Sequence, residues 1–254
     1  MDLKVKDFLE TLTKERITDD SIIVFFSDHG IRYGDILLYN TGWHEERLPF
    51  IYFSFPTWFK RKYPRLLNNF KANMHRLTSP YDFYMTLQHV LLLEGKISEF
   101  KPSIACPTCK SFFDEIPHNR SCKDAGIPTH YCTCQGYLEV RLSQDVAQHA
   151  AQLLIDEVHS RIKDIPSCLR YKLLRVRRTA VSQNSLLENE TYLLMSIETI
   201  PTAIFEATFI VSGDISRKDI SLAENRWISR LDPTGGNDWC TKNFKIYCFC
   251  PKKH

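Results

Sequence analysis

Cysteine placement constrains this chain more than any other feature. The sequence has nine cysteines in 254 residues, and eight of them fall into two clusters. The first is Cys106, Cys109, Cys122, Cys132 and Cys134. The second is Cys240, Cys248 and Cys250, with Cys168 standing between the two. Grouped cysteines imply disulfides or a bound metal, because reactive thiols are seldom clustered in this way. Cys106-x2-Cys109 followed by Cys132-x-Cys134 has ligands enough for a zinc ribbon. That scheme spaces its second pair by one residue and leaves Cys122 over, so disulfides are the preferred expectation. They are expected within residues 101–135, and separately among Cys168, Cys240, Cys248 and Cys250. Disulfides require an oxidising compartment. The sequons Asn119-Arg-Ser121 and Asn189-Glu-Thr191 fit the same route. The start, MDLKVKDFLETLTKER, reads as an amphipathic helix rather than a signal peptide, which needs an apolar block behind a basic start. The expectation is an extracellular or secretory-lumen glycoprotein whose signal is missing from this sequence.

Composition excludes some partners. The 33 basic and 30 acidic residues leave a net charge of +3, which gives no general reason to expect nucleic acid or an anionic membrane. No stretch approaches the ~20 apolar residues of a membrane span. A 43% hydrophobic content is enough for one large core or two modest ones.

Along the chain, residues 2–16 carry Leu3, Phe8, Leu9 and Leu12 at helical spacing. Ser21 to Phe26 is an unbroken apolar, β-branched and aromatic run, and it reads as a central strand buried on both faces, as in a parallel sheet. A second apolar stretch, Leu48 to Phe55, follows a loop. Residues 57–76 are basic and aromatic and read as a surface helix with loops. Stacking and phosphate contacts to nucleic acid are possible in principle for 58–65, but the prolines around it favour a solvated helix face. Ser79, Pro80 and Asp82 open a helix as N-cap, first residue and first-turn acid. Within it His89 reads as a core residue. Residues 101–142 form a cross-linked loop region. Ser143 to Ile162 has a helical inner face of Val146, Ala150, Leu153, Leu154 and Val158. Leu173 to Val181, Thr191 to Ile200 and Ala203 to Val211 predict an antiparallel sheet with that helix on it.

Asp28-His29-Gly30 is the strongest chemical signal. It follows the buried strand directly, at a carboxyl end where open α/β sheets bind ligands. A carboxylate beside an imidazole suits zinc, at about 2.0–2.2 Å from each donor, and manganese is a second option. Gly30 would let the backbone turn sharply behind the pair. As a bare tripeptide Asp-His-Gly is usually a solvated loop, and only the preceding strand raises the metal reading. His44 is open between a third ligand, a substrate contact and a surface loop histidine. Arg32 and Arg47 could each grip a phosphate or sulfate through bidentate hydrogen bonds. Arg47 could equally pair with Glu45 or Glu46.

Several blocks resemble a known family. They are Phe25 to Gly34, Glu45-Glu46-Arg47-Leu48-Pro49-Phe50, Phe55-Pro56-Thr57-Trp58-Phe59, Arg76 to Asp82 with Thr86 and Leu87, and Arg120-Ser121-Cys122 through to Cys134. In this order they resemble sulfatases and phosphodiesterases of the alkaline phosphatase superfamily. The closer resemblance is to an animal sulfatase-like family of unknown function, domain of unknown function family 229. It covers residues 1–135 and less of the remainder. The resemblance implies that Asp28 and His29 bind a metal facing a Ser or Thr nucleophile. In such proteins that nucleophile and further acidic ligands lie far upstream, whereas 27 residues precede Asp28 here.

The expected architecture is therefore α/β. Residues 1–100 would be the carboxy-terminal part of an alkaline-phosphatase-like parallel sheet sandwich. Residues 101–142 would be a Cys-rich connector, and residues 143–254 a small α+β subdomain. The expected function is that of a carboxy-terminal portion of a secreted, metal-dependent hydrolase of phosphate or sulfate esters, inactive alone. A secreted non-catalytic binding protein with a degenerate phosphatase-like fold and an intracellular zinc-ribbon protein are the alternatives.

Overall fold

A computed structural model describes residues 2–183, 191–217 and 219–251. In chain order the main elements are helices α1 (Asp2–Lys14) and α2 (Ile17–Asp20), strand β1 (Ile23–Phe26), helix α3 (Asn40–Arg47), strand β2 (Ile51–Ser54), and helices α4 (Thr57–Lys62), α5 (Pro64–Asn73) and α6 (Pro80–Leu93). Strand β3 (Tyr137–Glu139), helix α7 (Gln144–Arg161) and strands β4 (Lys172–Ser182), β5 (Thr191–Ile200), β6 (Ile204–Val211), β7 (Ile220–Leu222) and β8 (Ile228–Arg230) follow. The chain forms two compact units, each drawn from two segments: residues 1–28 with 49–127, and residues 29–48 with 128–254. No described helix is long and apolar enough to cross a membrane.

The first unit corrects the parallel-sheet expectation. β1 pairs antiparallel with β2, from Ile23 opposite Ser54 to Phe26 opposite Ile51, and the two form a two-stranded sheet. Ser21–Phe26 is thus not a central strand among the described residues, and Phe25 and Phe26 remain 40% and 53% exposed. The reason is physical. An apolar run specifies that a segment prefers burial, but not which strands flank it or in which direction they run. Aromatic contacts cover part of the run, with Phe25 on Phe50 at 5.1 Å and Phe26 on Phe83 at 5.3 Å between ring centroids. Helix α1 forms as its spacing predicts, yet buries none of its residues.

The core of this unit is aromatic. Phe55, Phe59 and Phe113 are buried, with Phe53 and Phe70 packed against them. The loop after α6 lies over this core, so its backbone polar groups need partners inside the protein. Side chains of the helices supply them. Asn73 donates to the carbonyls of Phe112 (2.9 Å) and Asp114 (2.6 Å) and accepts from the Ile116 N–H (3.1 Å). Thr86 Oγ1 accepts from the Phe112 N–H at 2.8 Å. Asp82, fully buried, caps α6 through the Ser79 N–H, takes the Lys110 N–H, and holds Arg120 by both oxygens at 2.8 and 3.0 Å. A Cys106–Cys109 disulfide closes the same loop.

The second unit is a six-stranded sheet in the order β3-β4-β5-β6-β7, with β8 also pairing β6. Every pairing is antiparallel. Side chains on a strand alternate between faces. Leu193, Met195 and Ile197 of β5 and Phe205, Ala207 and Phe209 of β6 share one core with Val146, Ala150, Leu154 and Val158 of α7. The intervening Tyr192 and Leu194 pack on the opposite face with Tyr137, Ala180 and Trp43 of α3. Covering both faces makes β5 and β6 nearly continuous apolar segments. Disulfides Cys168–Cys248 and Cys240–Cys250 tie the carboxy-terminal segment to the α7 side of this core. Cys122 and Cys132 are disulfide-bonded as well, and Cys134 is exposed.

Candidate functional site

The second unit places several of the sequence-predicted residues around α3. The chain leaves β1 with the Ser27 N–H donating to the Phe50 carbonyl at 3.1 Å. Asp28 is the last residue of the first unit and is exposed; His29, half-buried, opens the second. The Gly30 N–H then donates to the Glu46 carbonyl at 3.2 Å. A Cβ on Gly30 would stand 1.9 Å from the Glu45 carbonyl oxygen. Glycine is required here for close backbone approach to the end of α3, and not for a left-handed turn, since Gly30 is not among the residues of positive φ.

His29 Nδ1 lies 2.7 Å from the Gly30 carbonyl. A carbonyl only accepts, so the shared proton sits on Nδ1, and the neutral tautomer of that arrangement has its lone pair on Nε2. His44 is held the same way, with Nδ1 2.7 Å from the Asn40 carbonyl. This is the arrangement by which a second hydrogen bond fixes the tautomer and orientation of a metal-ligating histidine. The donor chemistry of His29 therefore fits a divalent metal. Among the described residues, neither His29 nor His44 belongs to a group of three ligand atoms lying within 4.8 Å of one another. Arg32 is exposed on the loop that follows His29.

Arg47 sits at the centre of a buried polar network. Its side chain is 2% exposed and donates to Glu46 Oε2 at 2.6 Å and Glu206 Oε1 at 2.9 Å. It also donates to the carbonyls of His130 (3.3 Å) and Trp43 (3.4 Å), and its guanidinium lies 4.4 Å from the Trp43 ring centroid. Glu206 is fully buried on β6 and accepts from Ser196 Oγ of β5 at 2.9 Å. His130, also buried, bonds Thr208 Oγ1 at 3.0 Å and Ser229 Oγ at 2.9 Å. Ser196, Glu206 and Thr208 all occupy the sheet face turned away from α7. Tyr192, Leu194 and Ala180 pack on the same face, and the buried Ser196, Glu206 and Thr208 take their partners from this network.

The electrostatics follow from burial. Burial, reinforced by the positive charge of Arg47, holds His130 well below the ordinary 6.5, so it is neutral. Burial raises Glu46 above 4.5; the charge of Arg47 opposes that rise, and repulsion from Glu206 adds to it. Arg32 and His29 act on Glu46 as well, each favouring its ionised form. Glu46 therefore links the loop carrying His29 and Arg32 to the buried Arg47 pair. Glu206, His130 and Ser196 were not identified from sequence. The one available signal was Glu206 itself, a single carboxylate inside the apolar run Ile204 to Val211.

No curated protein and no solved structure matches this chain. A family model described as Protein of unknown function (DUF229) matches residues 1–177. That match spans more than half of the sequence, and the chain belongs to this family.

Proposed function

We propose that the chain is part of a secreted, sulfatase-like protein of the alkaline phosphatase superfamily. In this reading Asp28 and His29 are two ligands of a zinc or manganese ion in a hydrolase of phosphate or sulfate esters. The observation that carries it is the His29 Nδ1 bond to the Gly30 carbonyl, which presents Nε2 as the donor nitrogen. The ordered sequence blocks around it support the same reading. Such a metal, when bound, would act as a Lewis acid toward the ester oxygens.

The remaining roles fall to groups of this chain. Gly30 seats the His29 loop against α3, where no side chain would fit. Arg32, exposed beside His29, offers a guanidinium to an anionic ester. Arg47 is committed to Glu46 and Glu206 and serves as a positioning residue that fixes the end of α3. His44, with Nδ1 bonded to the Asn40 carbonyl, offers the Nε2 lone pair to the ion or accepts there from a substrate hydroxyl. The disulfides, and the exposed Asn119 of the first sequon, suit an extracellular setting. Asn189 lies outside the described residues.

Metal retention by the oxidised chain tests the reading, because intact disulfides keep eight of the nine cysteines out of the measurement. Equilibrium dialysis against zinc should show weak binding, since two protein ligands fall short of the usual three or more. His29→Ala and Asp28→Ala should each lose that binding with an unchanged urea midpoint. Equal zinc uptake by wild type and both variants would remove the assignment.

A further inference from the structure

The carboxy-terminal cysteines form a group of four sulfurs, not two separate crosslinks. Cys168 is bonded to Cys248, and Cys240 to Cys250. Across the two disulfides, Cys240 Sγ lies 3.6 Å from Cys248 Sγ, and Cys248 Sγ lies 3.8 Å from Cys250 Sγ. The sulfurs of Cys168, Cys240 and Cys248 all fall within 4.8 Å of one another. Zinc held by four thiolates has Zn–S bonds of about 2.3 Å in a tetrahedron, which sets neighbouring sulfurs about 3.8 Å apart. Two of the non-bonded spacings, Cys240–Cys248 and Cys248–Cys250, already match that edge length, and Cys250 has to move toward Cys168 to complete the set.

We propose that, once its two disulfides are reduced, this cluster is a structural zinc site with Cys168, Cys240, Cys248 and Cys250 as its ligands. Three further observations carry it. Cys248 and Cys250 are essentially fully buried and Cys168 nearly so, while Cys240 is only half-buried and gives an ion a way in. The Cys240 N–H donates to Cys250 Sγ at 3.0 Å, a bond that favours the thiolate. Backbone bonds hold the ligand-bearing segments together independently of the sulfurs: the Leu169 N–H donates to the Phe249 carbonyl at 2.8 Å, and the Cys250 N–H to the Asn237 carbonyl at 2.6 Å. Reduction therefore leaves the four side chains facing one another.

The chemistry balances with a phosphine or dithiol as the reductant. Each disulfide takes up two electrons and two protons to give two thiols. Zinc then displaces four protons from the four thiols and is bound by four thiolates. The same residues thus crosslink the carboxy-terminal segment in an oxidising compartment and clamp it through a metal in a reducing one. This site is independent of Asp28 and His29.

The test uses the full chain, reduced under native conditions with a phosphine and titrated with cobalt and then zinc. One equivalent of cobalt should bind with tetrahedral thiolate absorption, and zinc should displace it. Cys106→Ser/Cys109→Ser should bind as wild type does, and Cys168→Ser/Cys240→Ser should not. Because the second variant could misfold, alkylation of the wild-type chain supplies a direct reading. With zinc present, mass spectrometry should find Cys168, Cys240, Cys248 and Cys250 protected from iodoacetamide while Cys106 and Cys109 are modified. Absent uptake, uptake undiminished in Cys168→Ser/Cys240→Ser, or equal alkylation of all cysteines with and without zinc would overturn the proposal.

Discussion

Arg47 on α3 donates from Nη2 to Oε1 of Glu206 on β6 at 2.9 Å, and both side chains are almost completely shielded from water. A buried ion pair of this kind adds little net stability compared with apolar residues of the same shape, but removing one partner strands the other charge. Arg47→Met should therefore cost about 3–5 kcal/mol in urea unfolding, because among the described residues Glu206 would keep only Ser196 as a hydrogen-bond partner. Arg47→Lys should recover only part of the loss, since an ammonium cannot reproduce the two-sided fork to Glu46 and Glu206. Combining Arg47→Met with Glu206→Leu should be milder than Arg47→Met alone. A double variant at least as unstable as the sum of the singles would count against the stranded-charge account.

In the first unit, Asp82 caps α6, receives two backbone N–H groups and pairs with Arg120 by both oxygens. Asp82→Asn keeps the shape but removes the charge and one acceptor. It should cost about 3 kcal/mol, the lower part of the range for breaking a buried pair. Asp82→Ala should cost more by roughly the worth of the helix cap, about 1 kcal/mol. Urea midpoints with unchanged slopes would measure both. A shift in Asp82→Asn no larger than that of an exposed Asp→Asn change would show the pair to be energetically idle.

Acidification should loosen the second unit through His130. Its folded-state pKa is held well below 6.5 by burial and by Arg47, so below that value the unfolded chain takes up a proton that the folded chain refuses. Stability should therefore fall as pH drops through about 6.5, the unfolded value, and level off above it. Glu46 acts with the opposite sign. Its pKa is raised in the fold, so the stability it contributes is present at low pH and lost as pH rises through the raised value. Comparing wild type with His130→Gln separates the two, because Glu46 is common to both. The variant should lose stability at pH 7.5 but show a flatter decline between pH 7 and pH 5. Parallel declines in the two proteins would assign the acid sensitivity to other groups.

What the sequence revealed depended on how local the information was. α6 was legible from Ser79, Pro80 and Asp82 because a capping box is written within four consecutive residues. α7 was legible from its apolar period, and Val146, Ala150, Leu154 and Val158 are all buried. β4 to β6 were legible as an antiparallel set because their β-rich segments are separated by short connections. The error at β1 had the opposite origin. Ile23-Val24-Phe25-Phe26 records a preference for burial, while the identity and direction of neighbouring strands reside in distant residues. The Arg47 network was half legible: Glu46 is adjacent in sequence, but Glu206 is 159 residues from Arg47, and no local pattern links the two.

Gly30 gives the sharpest test of how the His29 loop is held. A Cβ there would sit 1.9 Å from the Glu45 carbonyl oxygen and 2.7 Å from its carbon, and both are backbone atoms that cannot swing aside. Gly30→Ala must therefore separate the loop from the end of α3 and weaken the Gly30 N–H bond to Glu46. A forced backbone shift of this kind costs about 1–3 kcal/mol. The His29 ring is anchored to the Gly30 carbonyl, so the loop should carry Nε2 with it. Gly30→Ala should lower zinc retention by the oxidised chain nearly as far as His29→Ala does, while leaving the buried Arg47–Glu206 pair in place. Gly34→Ala is the control. It changes a nearby glycine with open space around its Cβ position, and its strain comes from a φ of +120° rather than from a clash. It should destabilise the chain without selectively removing zinc. Full zinc retention by Gly30→Ala at wild-type stability would show that the loop does not depend on its approach to α3.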